Sequence, residues 1–269
     1  MNITSIFKIN GSVVITGAAG LLGKQHAKAV IEHGGIPILL DINIEELKKF
    51  QNELSESGHN NLLVYECDIT KKFEVEKVLL DAVSKNQKIV GLVNNAALNP
   101  VVKDGLEDVS MLESFNLDIW DKELEVGIKG SLICTMVFGA HMAENNYGSI
   151  VNISSDLGVI SPDQRLYKKN GKNYFKPVTY SVIKHALIGL TKYTTTYWNE
   201  NGVRANTLIP GGVENSQDKL FIKKVSQLIP LGRMAKEDEY KGALVYLLSD
   251  ASSYMTGASL VVDGGRTSW

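Results

Sequence analysis

Tyr180 and Lys184 are the two residues whose types and spacing most clearly suggest chemistry. They lie four positions apart, so in a helix both side chains would occupy one face. A lysine ammonium beside a phenol stabilises the phenolate and lowers the pKa of the tyrosine, which can then act as a general acid or base. Without further context, the same pair would be an ordinary feature of a helix surface.

A glycine-rich segment near the start of the chain is suited to holding a dinucleotide. Residues 16–23 read TGAAGLLG, between an apolar run that predicts a strand and a helical pattern. Glycine permits a tight turn and a close approach to a pyrophosphate, which the free N–H groups at a helix start attract. Asp41 ends the next predicted strand, where a carboxylate would bind the adenosine ribose and repel a 2′-phosphate. We therefore predict NAD in preference to NADP, the alternative being a tight turn without a ligand.

The elements that would position these residues alternate along the whole chain. Apolar runs alternate with helical patterns, which predicts βαβ units. We expect one α/β domain over residues 1–269, a doubly wound parallel Rossmann sheet of about seven strands with helices on both faces. The polar segment 161–177 interrupts the alternation and predicts an inserted loop. Other predicted elements are helices over 118–143, 178–198 and 237–248 and a strand over 204–208.

Composition argues against several classes of protein. The net charge of −2 and pI near 6.2 give no basic footprint for a nucleic acid or a membrane surface. The two cysteines and five histidines have no metal-binding spacing, so we predict no metal site and no disulfide. No apolar run of membrane-spanning length and no signal-peptide pattern is found, which favours a cytoplasmic location.

Several further segments, taken with the Tyr180–Lys184 pair, resemble the short-chain dehydrogenase/reductase family. They follow one another in the family's order at the predicted ends of strands. The segments are 94–97 (NNAA), 152–155 (NISS), 180–184 (YSVIK), 210–211 (PG) and 263–265 (DGG), together with Asp68. The resemblance extends over nearly the whole chain and implies hydride transfer between a nicotinamide cofactor and an alcohol or ketone.

The same resemblance implies roles for individual residues. Tyr180 would be the general acid/base, Lys184 would also hold the nicotinamide ribose, and Ser155 would position the substrate oxygen. A mobile substrate lid at about 213–230 and a homodimer or homotetramer are also implied. The implied cofactor contacts are Gly17, Gly20, Leu21, Leu22, Gly23, Asp41, Ile42, Asp68, Ile69, Asn95, Ala96, Ala97, Tyr180, Lys184, Pro210, Gly211 and Val213.

Three features depart from the family pattern. Leu21 stands where shorter members have a glycine, so we expect an altered phosphate turn within the same fold. Gly127 stands where the family has an asparagine that helps to hold a water of the proton relay. Segment 161–177 separates Ser155 from Tyr180 by more residues than is usual, and it must leave the sheet on the substrate side.

The polar insertion suggests the kind of substrate. We expect a polar, anionic small molecule such as a sugar phosphate or nucleotide sugar, with Arg165 and Asp156 as candidate contacts. Segments 163–167 (DQRLY) and 175–178 (FKPV) also resemble, more weakly, bacterial oxidoreductases named as flagellin modification proteins and linked to nonulosonic sugars. The alternatives are a solvated loop with no ligand, a 3-oxoacyl-ACP-reductase-like enzyme, and a cofactor-binding relative with little or no turnover.

Overall fold

The computed structural model describes residues 3–98, 110–169 and 172–269. Its main sheet has seven strands in the order β3-β2-β1-β4-β5-β8-β9, and all neighbouring pairs are parallel. This arrangement confirms the predicted doubly wound sheet. The strands are β1 (Ser12–Thr16), β2 (Ile36–Asp41), β3 (Leu63–Glu66), β4 (Ile89–Asn94), β5 (Gly148–Ile153), β8 (Val203–Pro210) and β9 (Ser259–Val262). A separate antiparallel pair consists of β6 (Lys168–Lys169) and β7 (Lys172–Asn173).

Helices cover both faces of this sheet, because successive side chains of a strand point to opposite faces. Val13 and Ile15 of β1 enter one buried cluster, and Val14 enters the other. The helices are α1 (Ile3–Ile6), α2 (Leu21–Glu32), α3 (Ile44–Glu56), α4 (Lys72–Ser84), α5 (Leu117–Glu144), α6 (Val178–Tyr197), α7 (Lys219–Ser226) and α8 (Lys241–Leu248).

Helix α5 is the longest helix in the described part of the chain. It has 28 residues, and by length and composition it is apolar enough to cross a membrane. The sequence did not indicate this, because polar residues interrupt the apolar ones. Inside the fold, however, 61% of its most apolar window is buried. Helix α5 is therefore apolar because it packs in the core of the protein. Its regular winding is interrupted by two π-helical stretches, at Glu125–Gly130 and Thr135–Gly139.

The insertion and the predicted lid both contain local secondary structure. The insertion contains a 3₁₀ turn at Gln164–Tyr167 and then the β6–β7 pair. The predicted lid carries α7, whose first turn is capped by Asp218. Its carboxylate accepts hydrogen bonds from Leu220 N at 2.9 Å and Phe221 N at 3.3 Å.

The two cysteines behave as small core residues. Cys67 and Cys134 are both buried and neither forms a disulfide. Burial raises the pKa of the Cys67 thiol to about 12 and that of Cys134 well above its ordinary value. Across the described residues, no three His, Cys, Asp or Glu side chains are grouped so that they could hold a metal ion.

Candidate active site

The glycine-rich segment forms the turn between β1 and α2, and two of its glycines have no room for a side chain. Gly17 has φ +63°, and a Cβ there would lie 2.7 Å from the Cα of Ala96. A Cβ on Gly23 would collide with the carbonyl oxygen of Gly17. Gly20 is the N-cap residue, so α2 begins at Leu21. The unpaired N–H groups of the first turn of a helix are suited to binding a phosphate, and this cradle fits a dinucleotide.

Strand β4 is tied to this turn by hydrogen bonds. The Asn95 side-chain amide donates to the carbonyl oxygens of Thr16 at 3.0 Å and Gly17 at 3.1 Å. The Thr16 hydroxyl in turn accepts from the backbone N–H groups of Asn95 and Ala96, both at 3.0 Å. Asn95 and Ala96 therefore follow β4 directly beside the glycine turn.

A carboxylate lies at the edge of the same turn. Asp41 accepts hydrogen bonds from Ala19 N at 3.0 Å and from Asn43 N at 2.9 Å. The neighbouring Ile42 side chain is 67% exposed, which leaves it available to a ligand. After β3, Asp68 binds Thr70 through its backbone N–H and its hydroxyl, at 3.0 and 2.7 Å.

Ile69, the residue after Asp68, is buried rather than open to a ligand. Its side chain packs against Gly130 of α5, where an added Cβ would lie 2.6 Å from Ile69 Cδ1. This contact places the end of β3 against α5.

The three predicted catalytic residues meet at the carboxyl ends of the strands. Tyr180 and Lys184 lie one turn apart on α6, with the lysine Nζ 5.6 Å from the centre of the tyrosine ring. Lys184 is buried, and its Nζ donates to the carbonyl oxygen of Ile153 at 2.9 Å. Ser155 follows β5, and its hydroxyl donates to Asp156 at 2.8 Å. Leu157 N donates to the Ser155 hydroxyl at 3.2 Å.

Burial dominates the electrostatics of this group. Burial raises the pKa of Tyr180, opposite to the lowering expected from Lys184, and a hydrogen bond with Ser155 offsets only part of the rise. Burial lowers the pKa of Lys184 to about 8 and raises that of Asp156 above its ordinary value. A tyrosine and a lysine whose pKa values are displaced in a cleft are suited to proton exchange with a ligand.

The group opens onto a cavity of about 1030 Å³ that extends from the glycine turn to the lid. Among the predicted residues that line it are Leu21, Leu22, Asn95, Ser155, Asp156, Tyr180, Lys184, Pro210, Gly211 and Val213. Helix α7 closes one side with apolar and basic side chains. The cationic residues of the lining are Lys168, Lys176, Lys184, Lys224 and Arg266.

Arg165 lies outside this lining. Its side chain is 82% exposed and pairs with Asp163, through Nε at 2.9 Å and Nη2 at 2.8 Å. Two other cations, Lys176 and Arg266, line the cavity and are not among the site residues predicted from the sequence. Lys176 does carry a spacing signal, because it precedes Tyr180 by the same four positions by which Lys184 follows it.

Gly127 is packed against the catalytic helix. A Cβ at this position would lie 2.6 Å from Cγ2 of Ile183 on α6. The Ile183 side chain therefore fills the space into which an asparagine at position 127 would have to extend. The glycine at this position therefore lets α5 and α6 pack closely together.

Comparison with known proteins agrees with this geometry. A family model described as enoyl-(acyl carrier protein) reductase matches residues 17–267. Post-translational flagellin modification protein A of Campylobacter coli is 31% identical over 256 residues, covering 95% of this chain and 98% of that protein. The NAD-dependent glycerol dehydrogenase of Listeria innocua is 30% identical over 267 residues, covering 97% and 96%.

Solved structures agree as well. A gluconate 5-dehydrogenase from Burkholderia cenocepacia, crystallised with NADP and tartrate, superposes with a TM-score of 0.86 at 25% identity, and the alignment covers 99% of each chain. The chain belongs to the short-chain dehydrogenase/reductase family, as both resemblances noted in its sequence indicate. It is an oxidoreductase of the kind that acts on alcohol and ketone groups.

Proposed function

We propose that this protein is an NAD(H)-dependent dehydrogenase/reductase that interconverts a hydroxyl and a carbonyl group on a sugar or sugar-phosphate type of substrate. One observation carries the proposal: Ser155, Tyr180 and Lys184 open onto a cavity lined by both a carboxylate and several cations. Hydroxyl groups of a sugar would bind the carboxylate of Asp156, and an anionic group would bind a cation.

The chain's own residues account for proton transfer and orientation. Tyr180 gives its hydroxyl proton to the substrate oxygen during reduction and takes it back during oxidation. Ser155 binds the same oxygen and holds it beside the tyrosine. The ammonium of Lys184 stabilises the phenolate that remains after reduction. When bound, the nicotinamide cofactor supplies or accepts the hydride.

Asp41 supports the choice of NAD over NADP. Its carboxylate is held at the edge of the glycine turn by two backbone N–H groups. A fixed negative charge in that place suits the free hydroxyl groups of the NAD ribose and repels a 2′-phosphate.

Arg266 supports an anionic substrate. It lies in the 3₁₀ turn Arg266–Ser268 that follows β9, and it lines the cavity. Among the described residues its guanidinium has no hydrogen bond or ion pair, although its charge lowers the pKa of both Asp156 and Asp163. A guanidinium binds carboxylate and phosphate groups through paired hydrogen bonds.

A second candidate is reduction of a 3-oxoacyl thioester. The observation that favours it is the apolar part of the lid, where Leu220, Phe221 and Val225 of α7 line the cavity. The ring of Phe221 also lies 5.8 Å from that of Tyr167 in the insertion. An acyl chain could pack against these side chains, whereas the cations that also line the cavity favour the sugar substrate.

We further infer a homodimer or homotetramer in the cytoplasm. Large apolar side chains are exposed on α5 at Leu132 and Met136 and on α6 at Tyr193 and Tyr197. Such side chains on two neighbouring long helices suit contact with a second copy of the chain. Two buried, unpaired cysteines suit a reducing compartment.

The experiment that tests the function is a turnover panel. Purified protein is assayed for NADH oxidation and NAD reduction with sugar phosphates, nucleotide sugars, sugar acids and a 3-oxoacyl thioester. We expect turnover on a sugar compound, and we expect Tyr180→Phe to abolish it while NADH still binds. Turnover on the thioester alone would favour the second candidate. NADH binding without any turnover would favour a relative that only binds the cofactor.

A further inference from the structure

The catalytic tyrosine needs a route to solvent. Each turnover leaves Tyr180 with one proton too few or too many, so the proton must be exchanged before the next cycle. Lys184 is an indirect route, because it is 5% exposed and its Nζ is held by the carbonyl oxygen of Ile153. Position 127 on α5 supplies no polar side chain, and Ile183 fills the adjacent space.

A second lysine lies closer to the aromatic ring of Tyr180 than Lys184 does. The Nζ of Lys176 is 3.9 Å from the centre of the Tyr180 ring, compared with 5.6 Å for Lys184. Lys176 belongs to the insertion and lines the open cavity. Its backbone N–H donates to the side chain of Gln164 at 2.9 Å, which fixes the segment just before α6.

A buried acid accompanies this second lysine. Glu123 lies on α5 about one helical turn before Gly127, and it is only 4% exposed. Its negative charge favours the protonated form of Lys176 more strongly than that of Asp156 does. The acid therefore compensates part of the cost of placing an ammonium group in this half-buried position.

We propose that Lys176, kept charged by Glu123, carries protons between Tyr180 and the water of the cavity. Both residues act through Tyr180 rather than on the substrate, so they are positioning residues. The inference rests on the proposed function, since it concerns the proton that the same reaction uses.

Reduction of the substrate takes up one proton from solvent, by way of Tyr180 and Lys176. The substrate carbonyl carbon gains a hydride while its oxygen takes the proton of the Tyr180 hydroxyl. The Lys176 ammonium then returns a proton to the phenolate through a bridging water, and the neutral amine takes a proton from solvent in the cavity. Oxidation of the alcohol runs the same transfers in the opposite direction and delivers one proton to solvent.

The charges around Lys176 suit this role. Burial lowers the pKa of Lys176 to about 8, so the amine can release and regain a proton near neutral pH. The ionisable groups that face the pair come from several elements: Glu123 from α5, Asp156 after β5, Tyr167 from the insertion and Lys184 from α6. Glu123 and Asp156 raise the pKa of Lys176, so removing either charge lowers it.

The first test separates proton transfer from charge. With a carbonyl substrate from the panel, Lys176→Met should lower kcat about tenfold or more with little change in KM. Lys176→Arg should be nearly as slow, because a guanidinium keeps its charge but does not release its proton. Added methylamine should partly restore the rate of Lys176→Ala. Full activity of Lys176→Arg or Lys176→Met would overturn the proposal.

Matched controls distinguish a loss of proton transfer from a loss of folded protein. Lys77→Met removes an exposed lysine on α4, far from the cavity, and should leave the rate unchanged. NADH affinity and thermal unfolding of each variant show whether the fold and the cofactor site are intact. Glu123→Gln should move the alkaline fall of the reduction rate to lower pH, because Lys176 then loses its proton more easily.

The second test needs no substrate. Acetylation of Lys176 by acetic anhydride, followed by mass spectrometry across a range of pH, reports the fraction of neutral amine. Its midpoint should lie near the lowered value of about 8 and should fall further in Glu123→Gln. A midpoint near that of an ordinary lysine, about 10.4, would overturn the proposal. If the proposed function itself is wrong, the wild-type protein will show no turnover on any compound of the panel, whatever the acetylation midpoint is.

Discussion

The cofactor end and the substrate end of the active site are built from different kinds of contact. At the cofactor end, short side chains such as Thr16, Asp41 and Asn95 bind backbone groups, and glycines allow the segments to touch. At the substrate end, the long side chains of Lys176 and Arg266 reach the cavity from loops. The cofactor end is therefore held by contacts within the protein. The substrate end presents charged side chains whose contribution to binding depends on the ligand.

The largest effect should come from filling the cradle. In Gly23→Ala, the new methyl group would collide with the carbonyl of Gly17 and lie 2.8 Å from the Cα of Ala18. We expect the turn to open, with NADH affinity falling about a hundredfold and a stability loss of about 1–3 kcal/mol. Fluorescence titration with NADH and denaturant unfolding would measure the two effects.

The matched control is Gly242→Ala on α8, where nothing lies within 4 Å of the added Cβ. Alanine there should stabilise the protein by about 0.5–1 kcal/mol and leave NADH affinity unchanged. Equal behaviour of the two variants would show that the cradle is not rigid, and the contrast between the two ends would be lost.

The next effect concerns the contact between α5 and α6. Gly127→Asn restores the side chain that the family pattern has, but the asparagine would meet Ile183. We expect a loss of about 1–3 kcal/mol in the free energy of unfolding and no gain in rate. Adding Ile183→Ala to the same chain should recover part of the loss. A stable and faster Gly127→Asn single variant would contradict this account of the packing.

A smaller effect should distinguish the two arginines near the substrate. Arg266→Ala should raise KM for an anionic substrate about tenfold, because a charge-assisted hydrogen bond contributes roughly 1.5–3 kcal/mol. Arg165→Ala should change KM little, since that guanidinium faces solvent and pairs with Asp163. A neutral polyol of the same shape is the control substrate. The reverse order of the two variants would support the prediction made from the sequence instead.

An effect of similar size should be on the choice of cofactor. Asp41→Asn keeps an oxygen that accepts from Ala19 N or Asn43 N but removes the charge. We expect the ratio of kcat/KM for NAD to that for NADP to fall about tenfold as the repulsion of the 2′-phosphate is lost. An unchanged ratio would assign the preference to other residues.

Most of the fold could be predicted because each element has a local pattern. At the start of α3, for example, Asn43 is a residue type that favours helix caps, and its side chain accepts from Glu46 N at 3.2 Å. Boundaries were less accurate where tertiary contacts decide them. The strand expected over 204–208 extends to Val203–Pro210, because β9 pairs with it as far as Val262.

The start of α8 shows the same limit. A helix was expected from residue 237, but it begins at Lys241. Glu239 is held in the preceding turn instead, where its carboxylate accepts from Nη1 and Nη2 of Arg233, both at 2.6 Å, and from Lys236 N at 2.8 Å. Ion pairing within a turn has no periodicity, so a search for helical patterns does not detect it.

The active site divides in the same way. Ser155, Tyr180 and Lys184 were predictable because they follow regular elements whose ends meet at one edge of the sheet. Lys176 and Arg266 were not singled out, because the direction of a loop side chain depends on the folded backbone around it. Arg165 is the opposite case: the sequence pointed to it, but it pairs with its local partner Asp163 and does not line the cavity.

The burial of both thiols means that a single cysteine introduced into the predicted lid could be labelled selectively. Cys67 and Cys134 lie in the core with raised pKa values, so a maleimide should not react with them in the folded protein. A single cysteine introduced at Lys223 on α7 would then carry a fluorophore without any prior substitution. Its emission during mixing with cofactor and substrate would report whether α7 moves before or after the chemical step.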